Sequence, residues 1–300
     1  MRVKVIINPA AGKAEPVLTI LNDAFAPGGI DWDVAITHED GDALAATREA
    51  AEQGYDLIGA CGGDGTATEV AAALAQGGPP MLLLPGGTGN ALADDLGIPS
   101  TLAQAAALAN GDLSEIRLVD LGRIGDRWFV LRLTAGFEAE MVAAATREMK
   151  DRYGWLAYAF TGLQALAQAP RATYSVTVDG RTEEREGLAA LVANSASMGI
   201  PGMRIATDVS VSDGLLDVVV VQNTDLPGLL GIAAAAAQGQ ESALLSRWRG
   251  KEIHVESTPV QAVLADGEDA GRTPVDVCVA PGALRVVVPK PVGTPAAPQT

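Results

Sequence analysis

The segment Gly62-Gly63-Asp64-Gly65-Thr66 carries the residue types most suited to chemistry. Its glycines let the backbone approach a ligand closely, and a helix start after them would aim free N–H groups and a positive dipole end at phosphate oxygens. It follows the apolar run Asp56–Cys61 and precedes a helix predicted over Ala67–Gln76. No Gly-Lys-Ser/Thr follows, so it is not a P-loop, and the glycine spacing is not that of a dinucleotide fingerprint. The segment reads as a phosphate cradle with a carboxylate, Asp64, planted in it. A simpler alternative is a turn that only reverses the chain. Thr66 and Glu69 also spell the Thr-x-x-Glu capping box, which would hold a helix start with or without a ligand.

Other loops point to the same chemistry. Pro85-Gly86-Gly87-Thr88-Gly89-Asn90 follows the next apolar run, Asn8-Pro9-Ala10-Ala11-Gly12-Lys13 follows the first, and Thr37 with Gly41-Asp42-Ala43 follows the second. Lys13 could offset phosphate charge or be a solvated loop lysine. Adjacent cradles suggest a polyphosphate. Transfer of a phosphoryl group to a hydroxyl needs a metal to neutralise the phosphates and a carboxylate to take the alcohol's proton. The candidates are Asp64 and, far along the chain, Asp266 and Glu268 in Ala265-Asp266-Gly267-Glu268. Asp266-Gly267 is equally a hairpin turn signal, and Asp213-Gly214-Leu215-Leu216-Asp217 has the same competitor, a turn feeding a strand.

The elements that must position these residues fall into two groups. Val3–Ile7, Trp32–Thr37, Asp56–Cys61 and Met81–Leu84 are short apolar runs, each followed by a glycine-bearing turn and an Ala-rich helical stretch. That alternation predicts a parallel, doubly wound α/β sheet whose carboxyl edge gathers the loops. From Ser114 the rhythm changes to β-branched runs at Ile116–Leu121, Trp128–Leu133, Tyr174–Val178 and Leu215–Val221, interrupted by helical stretches at Glu138–Lys150 and Trp155–Ala169. A mainly antiparallel second domain follows. The predicted domains are 1–121 and 122–282, with a Pro-rich, disordered tail at 289–300. No repeat of 20–50 residues is visible.

Composition narrows the partners. The chain has 300 residues, 37 acidic against 21 basic, and a net charge of −16. That balance argues against nucleic-acid binding, which needs a basic footprint, and against strong adsorption to anionic membranes. Two cysteines, Cys61 and Cys278, make no disulfide framework, and two histidines, His38 and His254, make no histidine-rich metal site. No secretory signal is visible at the start, and the Ala-rich stretch Leu226–Leu245 is broken by polar residues, so a reducing, cytoplasmic setting is expected. Two segments mixing cations with aromatics, Arg147–Trp155 and Arg247-Trp248-Arg249-Gly250-Lys251, could touch a membrane or be ordinary packed elements.

These motifs, together with Val119-Asp120-Leu121-Gly122, Gly136-Phe137, Asn194…Pro201 and Ser212–Asp217, resemble the diacylglycerol kinase catalytic-domain family, which includes bacterial lipid kinases and sphingosine kinases. The resemblance covers nearly the whole chain. It implies a nucleotide-binding domain similar to that of phosphofructokinases and NAD kinases, a C-terminal β-sandwich, and a final strand at about Ala283–Val288 returning to the first domain. ATP would lie against Asn8, Lys13, Thr37, the run Gly62, Gly63, Asp64, Gly65, Thr66, Ala67, Thr68 and Glu69, and then Gly87, Thr88 and Asn90. Glu268 would accept the proton, with Asp64 as partner, Mg²⁺ organiser or alternative base. The resemblance also implies a second, structural Mg²⁺ or Ca²⁺ on Asp213 and the carbonyls of Ser210 and Leu215. Ala91 stands where many bacterial diacylglycerol kinases carry an acid, and Glu138 where an acid often follows the Gly-Phe pair, which leaves the acceptor lipid open between diacylglycerol-like and sphingoid. The expected partner is a lipid presented at a membrane surface, met by transient peripheral contact; a homodimer is an open expectation. The competing readings are an NAD kinase-type enzyme with a soluble substrate and a catalytically silent nucleotide- or lipid-binding regulator.

Overall fold

A computed structural model describes residues 1–11, 15–87, 89–136, 171–197, 204–222, 225–238, 240 and 242–291. The predicted helical stretches at Glu138–Lys150 and Trp155–Ala169, the Arg147–Trp155 segment, Lys13, Thr88, Phe137, Pro201 and residues 292–300 lie outside them.

The N-terminal lobe alternates strands and helices: β1 (Arg2–Ile7), α1 (Val17–Phe25), β2 (Asp31–Ile36), α2 (Asp42–Glu52), β3 (Leu57–Gly62), α3 (Asp64–Leu74), β4 (Met81–Pro85), α4 (Ala91–Asp95) and α5 (Leu102–Ala107). Its strands run in the order β2-β1-β3-β4, all parallel. β3 is buried along its whole length, as expected of a central strand covered by helices on both faces. The α1–α5 pair lies on one face and the α2–α3 pair on the other. Parallel pairing sends the carboxyl ends of all four strands, and so their loops, to one edge.

The C-terminal lobe is mainly antiparallel. Its elements are β5 (Ser114–Ile124), β6 (Arg127–Phe129), β7 (Arg132–Gly136), β8 (Ala172–Val178), β9 (Arg181–Ala193), β10 (Leu216–Gln222), α6 (Leu226–Ala237), β11 (Leu245–Gly250), β12 (Glu252–Thr258), β13 (Ala262–Ala265), β14 (Glu268–Arg272) and β15 (Val275–Pro289). Each lobe has its own apolar core, one built on Val5, Ile58 and Leu82, the other on Phe129, Tyr174 and Val218. β15 serves both: Val275–Cys278 pair with β12, and Val286 and Val287 pair in parallel with Met81 and Leu82 of β4. Along its length β15 also pairs with β5, and between Ala280 and Leu284 the register slips. There Gly282, at φ +61, donates its N–H to Asp120, whose other oxygen accepts from Gly214.

Three boundaries differ from expectation. The Trp128–Leu133 run is two strands, because Val130 and Leu131 turn their amides to a distant carboxylate instead of a ladder. α3 begins at Asp64, with Gly63 at its N-cap, so the glycine segment is partly the helix's first turn. Pro289 still pairs with Ser114 of β5, so order runs past the start of the predicted tail.

Candidate functional site

The two glycine loops meet back to back. The Gly86 amide donates to the Gly62 carbonyl at 2.8 Å, and a Cβ placed on Gly87 would lie 2.5 Å from the Gly63 Cα. Backbone cannot yield to such an approach, so glycine is required there. Asn90, left-handed at φ +52, closes the second loop by accepting from the Gly87 amide and donating to its carbonyl. Asp64 accepts from the Ala91 amide at 2.7 Å, tying the first turn of α3 to the start of α4. Burial pushes the Asp94 carboxyl above its ordinary value, and the neighbouring Asp64 and Asp95 add to it. Asp64 and Asp94 are hard-oxygen acids of the kind that suits Mg²⁺, although among the described residues no three acids are placed together to hold a metal ion.

The neighbouring strand ends complete the edge. Asn8 donates to the Thr66 hydroxyl at 3.3 Å while its own oxygen accepts from the Ala10 amide, and buried Thr37 donates its backbone N–H to Ile7. Gly65, Ala67 and Thr68 lie in α3 itself. The Thr66–Glu69 capping box does not form: no side chain caps α3, and Glu69 instead accepts from the Gly41 and Leu44 amides at 3.1 Å each. Glu69 therefore caps the neighbouring helix α2, whose amides were 25 and 28 residues away and invisible to a local motif. Cys61 is a buried apolar residue, its thiol pushed up to about 11 by burial, so it supplies no reactive thiolate. A cavity of about 460 Å³ lies away from these loops, between Leu74, Leu118 and Pro281. Cavity size does not locate this site.

Asp266 and Gly267 form the two-residue turn of the β13–β14 hairpin, at φ +50 and +91, with Ala265 facing Glu268. The Asp266 carboxylate accepts three backbone N–H groups, from Val130 at 2.6 Å and from Leu131 and Arg132 at 2.9 Å. Burial pushes this carboxyl up, and the three amides pull it back. With its oxygens engaged, Asp266 is placed as an anchor, while Glu268 opens β14 exposed to solvent.

The loops and this hairpin are physically joined. Asp95, at the end of α4 with its side chain only 4% exposed, accepts from the Ser195 hydroxyl at 2.6 Å and the Ala196 amide at 2.9 Å, and pairs with Arg204 at 3.0 Å. Asn194 donates to the carbonyls of Asp120 and Val130, both at 2.8 Å, and Val130 donates to Asp266. A continuous hydrogen-bonded path therefore runs from the second glycine loop through α4 and residues 194–196 to the hairpin that carries Glu268.

Comparison with known proteins gives the family. Residues 2–124 match the diacylglycerol kinase catalytic domain, and residues 132–288 match the YegS C-terminal NAD kinase beta sandwich-like domain. The chain is 36% identical over 264 residues to a "Probable lipid kinase YegS-like" of Pseudomonas aeruginosa, covering 87% of this chain and 86% of that one. The chain belongs to the diacylglycerol kinase catalytic-domain family. It is also 34% identical to the uncharacterized protein sll0036 of Synechocystis, covering 86% of this chain but spanning only 61% of that relative's length. The "Crystal structure of a putative diacylglycerol kinase from Bacillus anthracis str. Sterne" superposes with a TM-score of 0.82 at 27% identity, covering 97% of this chain and 98% of that one.

Elsewhere in this kinase the structure sorts the remaining candidates. Asp213 accepts from the Leu215 amide and Ser210 from the Ser212 amide, in a loop facing buried Asp120 and Asp217. Burial pushes the Asp213 carboxyl up, against the pull of the Leu215 amide and of Arg249, whose guanidinium is 3.9 Å away. The Arg247-Trp248-Arg249 segment is not a free basic patch. Arg247 pairs with Asp208 at 2.7 Å and Asp217 at 2.6 Å, Arg249 bonds Asp217 at 3.2 Å, and Trp248 packs on the C-terminal core. Burial works against the Arg247 charge, and the two carboxylates more than offset it, raising its pKa. No helix among the described residues is long and apolar enough to cross a membrane. Sequence reasoning missed Asp95, although Gly-Asn-Ala-Leu-Ala-Asp-Asp displays two adjacent acids one turn after the loop.

Proposed function

We propose that this kinase transfers the γ-phosphoryl group of ATP to a hydroxyl of a diacylglycerol-like or sphingoid lipid. The observation that carries the reading is the pair of touching glycine loops at one sheet edge, bonded through α4 and Asp95 to the hairpin bearing Glu268. In this reading ATP is held by Asn8, Thr37, the Gly62–Glu69 segment, Gly87 and Asn90, mainly through backbone N–H groups at the start of α3. Bound Mg²⁺ supplies charge neutralisation on the phosphates, and Asp64 with Asp94 provides the oxygen donors nearest the cradle.

Glu268 takes the proton of the acceptor hydroxyl as its oxygen bonds to phosphorus and the bond to the β-phosphate oxygen breaks. Asp266 fixes the hairpin from which Glu268 projects. Asp213 with the Ser210 and Leu215 carbonyls would hold a second, structural Mg²⁺ or Ca²⁺. A bilayer-resident acceptor implies peripheral contact, kept weak and transient by the net charge of −16. Incubation with labelled ATP, Mg²⁺ and separate vesicles of diacylglycerol and of a sphingoid base tests the reading. Label should move to one lipid class. Folded protein that labels neither, or that labels NAD instead, would overturn it.

A further inference from the structure

An arginine carries a fork of N–H donors, yet among the described residues the guanidinium of Arg204 has one partner, an oxygen of Asp95 at 3.0 Å from its Nη2. The Arg204 side chain stays 38% exposed, against 4% for Asp95. Asp95 does not need the whole fork, because its other oxygen already accepts from the Ser195 hydroxyl and the Ala196 amide. The backbone beneath Arg204 is fixed as well. Arg204 bridges Ser197 in antiparallel fashion, and the Ile205 amide donates to the Ala196 carbonyl at 2.8 Å. A guanidinium gripped at one nitrogen on a tethered backbone, with the rest of its fork open, is preorganised for an oxyanion.

Its place in the fold says which oxyanion. α4 rises about 1.5 Å per residue, so Asp95 lies only about 6 Å along the axis from Ala91, whose amide holds Asp64 of the cradle. Burial pushes the Asp94 carboxyl up and Asp64 adds to it, and Arg204 is close enough to pull the other way. On the opposite side the Ser197 carbonyl accepts from Arg132 at 3.4 Å, and the Arg132 amide is one of the three on Asp266, anchor of the hairpin bearing Glu268. Arg204 thus stands between the phosphate cradle and the base, with Asp64 and Asp94 to one side and Glu268 beyond Asp266 on the other. An anionic phosphoryl group crossing that zone meets repulsion unless a cation accompanies it. We infer, on the kinase reading above, that Arg204 binds the equatorial oxygens of the phosphoryl group in transit, with Asp95 holding the guanidinium in position. As the acceptor oxygen bonds to phosphorus, the bond to the β-phosphate oxygen breaks, ADP leaves with that electron pair and Glu268 takes the acceptor's proton. Arg204 stays protonated throughout and gains hydrogen bonds as charge spreads over the equatorial oxygens.

Transfer of label from ATP with Mg²⁺, to the lipid that the full wild-type chain uses, reads the effect. Arg204→Ala should lower kcat roughly a hundredfold or more while affinity for a fluorescent ATP analogue changes less than about threefold, because the contact is made in the transition state. Guanidinium ion added at a non-denaturing concentration should restore part of the lost turnover, and urea at the same concentration should not. Arg204→Lys keeps the charge without the fork and should lose about tenfold. Circular dichroism checks that the variants fold. Turnover in Arg204→Ala within about threefold of wild type overturns the inference. So does a loss matched by equally weakened ATP-analogue binding that guanidinium does not relieve, since that describes a structural prop. Should Arg204→Ala fail to fold, Arg204→Lys decides: full turnover overturns the inference, and a loss of about tenfold with unchanged analogue affinity upholds it. A folded wild-type chain that labels no lipid overturns the kinase reading and the inference with it, before any variant is made.

Discussion

Replacing Asp266 by asparagine separates anchoring from chemistry. The carboxylate now satisfies three backbone N–H groups, one oxygen serving Val130 and the other Leu131 and Arg132. Asparagine has one accepting oxygen, so at best two of those bonds survive, and its NH₂ then faces the third amide. Losing one bond to a charged acceptor costs about 1.5–3 kcal/mol, and the stranded part-buried donor adds roughly 1 more, for a total of about 3 kcal/mol. Asparagine also tolerates the left-handed backbone at φ +50, so the loss is not confounded by turn strain. A loss of about 3 kcal/mol is a factor of roughly 150 in the local folding equilibrium. Urea unfolding followed by tryptophan fluorescence reads it well, since Trp128 sits two residues before Val130. Turnover should fall with it, because the hairpin carrying Glu268 loses its tether. The matched control is Glu268→Gln: an exposed side chain, expected to change stability by no more than about 0.5 kcal/mol while losing most turnover. If Asp266→Asn unfolds with wild-type urea dependence yet loses turnover, Asp266 acts on the reaction directly and the anchoring argument is wrong. Full turnover in Glu268→Gln would remove the assignment of the base.

Further outcomes follow from other contacts. Gly87→Ala puts a methyl 2.5 Å from the Gly63 Cα, so binding of a fluorescent ATP analogue should drop at least tenfold while circular dichroism shows the protein still folded. Asp95→Ala strands the Ser195 hydroxyl, the Ala196 amide and the Arg204 charge, and should destabilise the protein by about 3–5 kcal/mol in a denaturant titration. Glu69→Ala leaves the Gly41 and Leu44 amides without their carboxylate and should cost about 1–2 kcal/mol, with faster amide exchange at the start of α2. The Asp276 hydrogen bond holds the His254 pKa above its ordinary value, with Glu256 adding to it. A raised folded-state pKa stabilises below the unfolded value of about 6.5 and is lost as pH rises through the folded one. His254→Gln should therefore lose stability relative to wild type at pH 6 but match it at pH 8.5, by less than about 1 kcal/mol for so exposed a pair.

The N-terminal lobe was legible because its signals are local. An apolar run, a glycine turn and an Ala-rich stretch each lie within one window, so Ile58, Gly63 and Val70 announce strand, turn and helix from their own neighbourhoods. Where sequence reasoning failed, a distant partner outbid a near one. Glu69 fits a capping box with Thr66, yet two unsatisfied amides at the start of α2 offered it better bonds. Val130 and Leu131 read as mid-strand residues, but Asp266, more than 130 positions later, draws their amides out of the ladder. Arg249 reads as a surface cation until the antiparallel register of β10 and β11 sets it opposite Asp217. Asp95 was missed for the same reason: its partners Ser195, Ala196 and Arg204 belong to the other lobe.

The long β15 has a consequence for how the molecule is made. The N-terminal sheet needs Val286 and Val287 beside β4, and those residues follow the whole second lobe along the chain. Domains usually fold in the order of synthesis, and their nascent chains are protected by closing early. Here the first lobe must wait with β4 uncovered until the whole second lobe has been translated. A fragment ending near Ile124 would keep every glycine loop of the nucleotide site and still lack a wall of its own sheet, so excising the catalytic domain by sequence match should yield an aggregating polypeptide. The two lobes are separate as matched segments and inseparable as folding units.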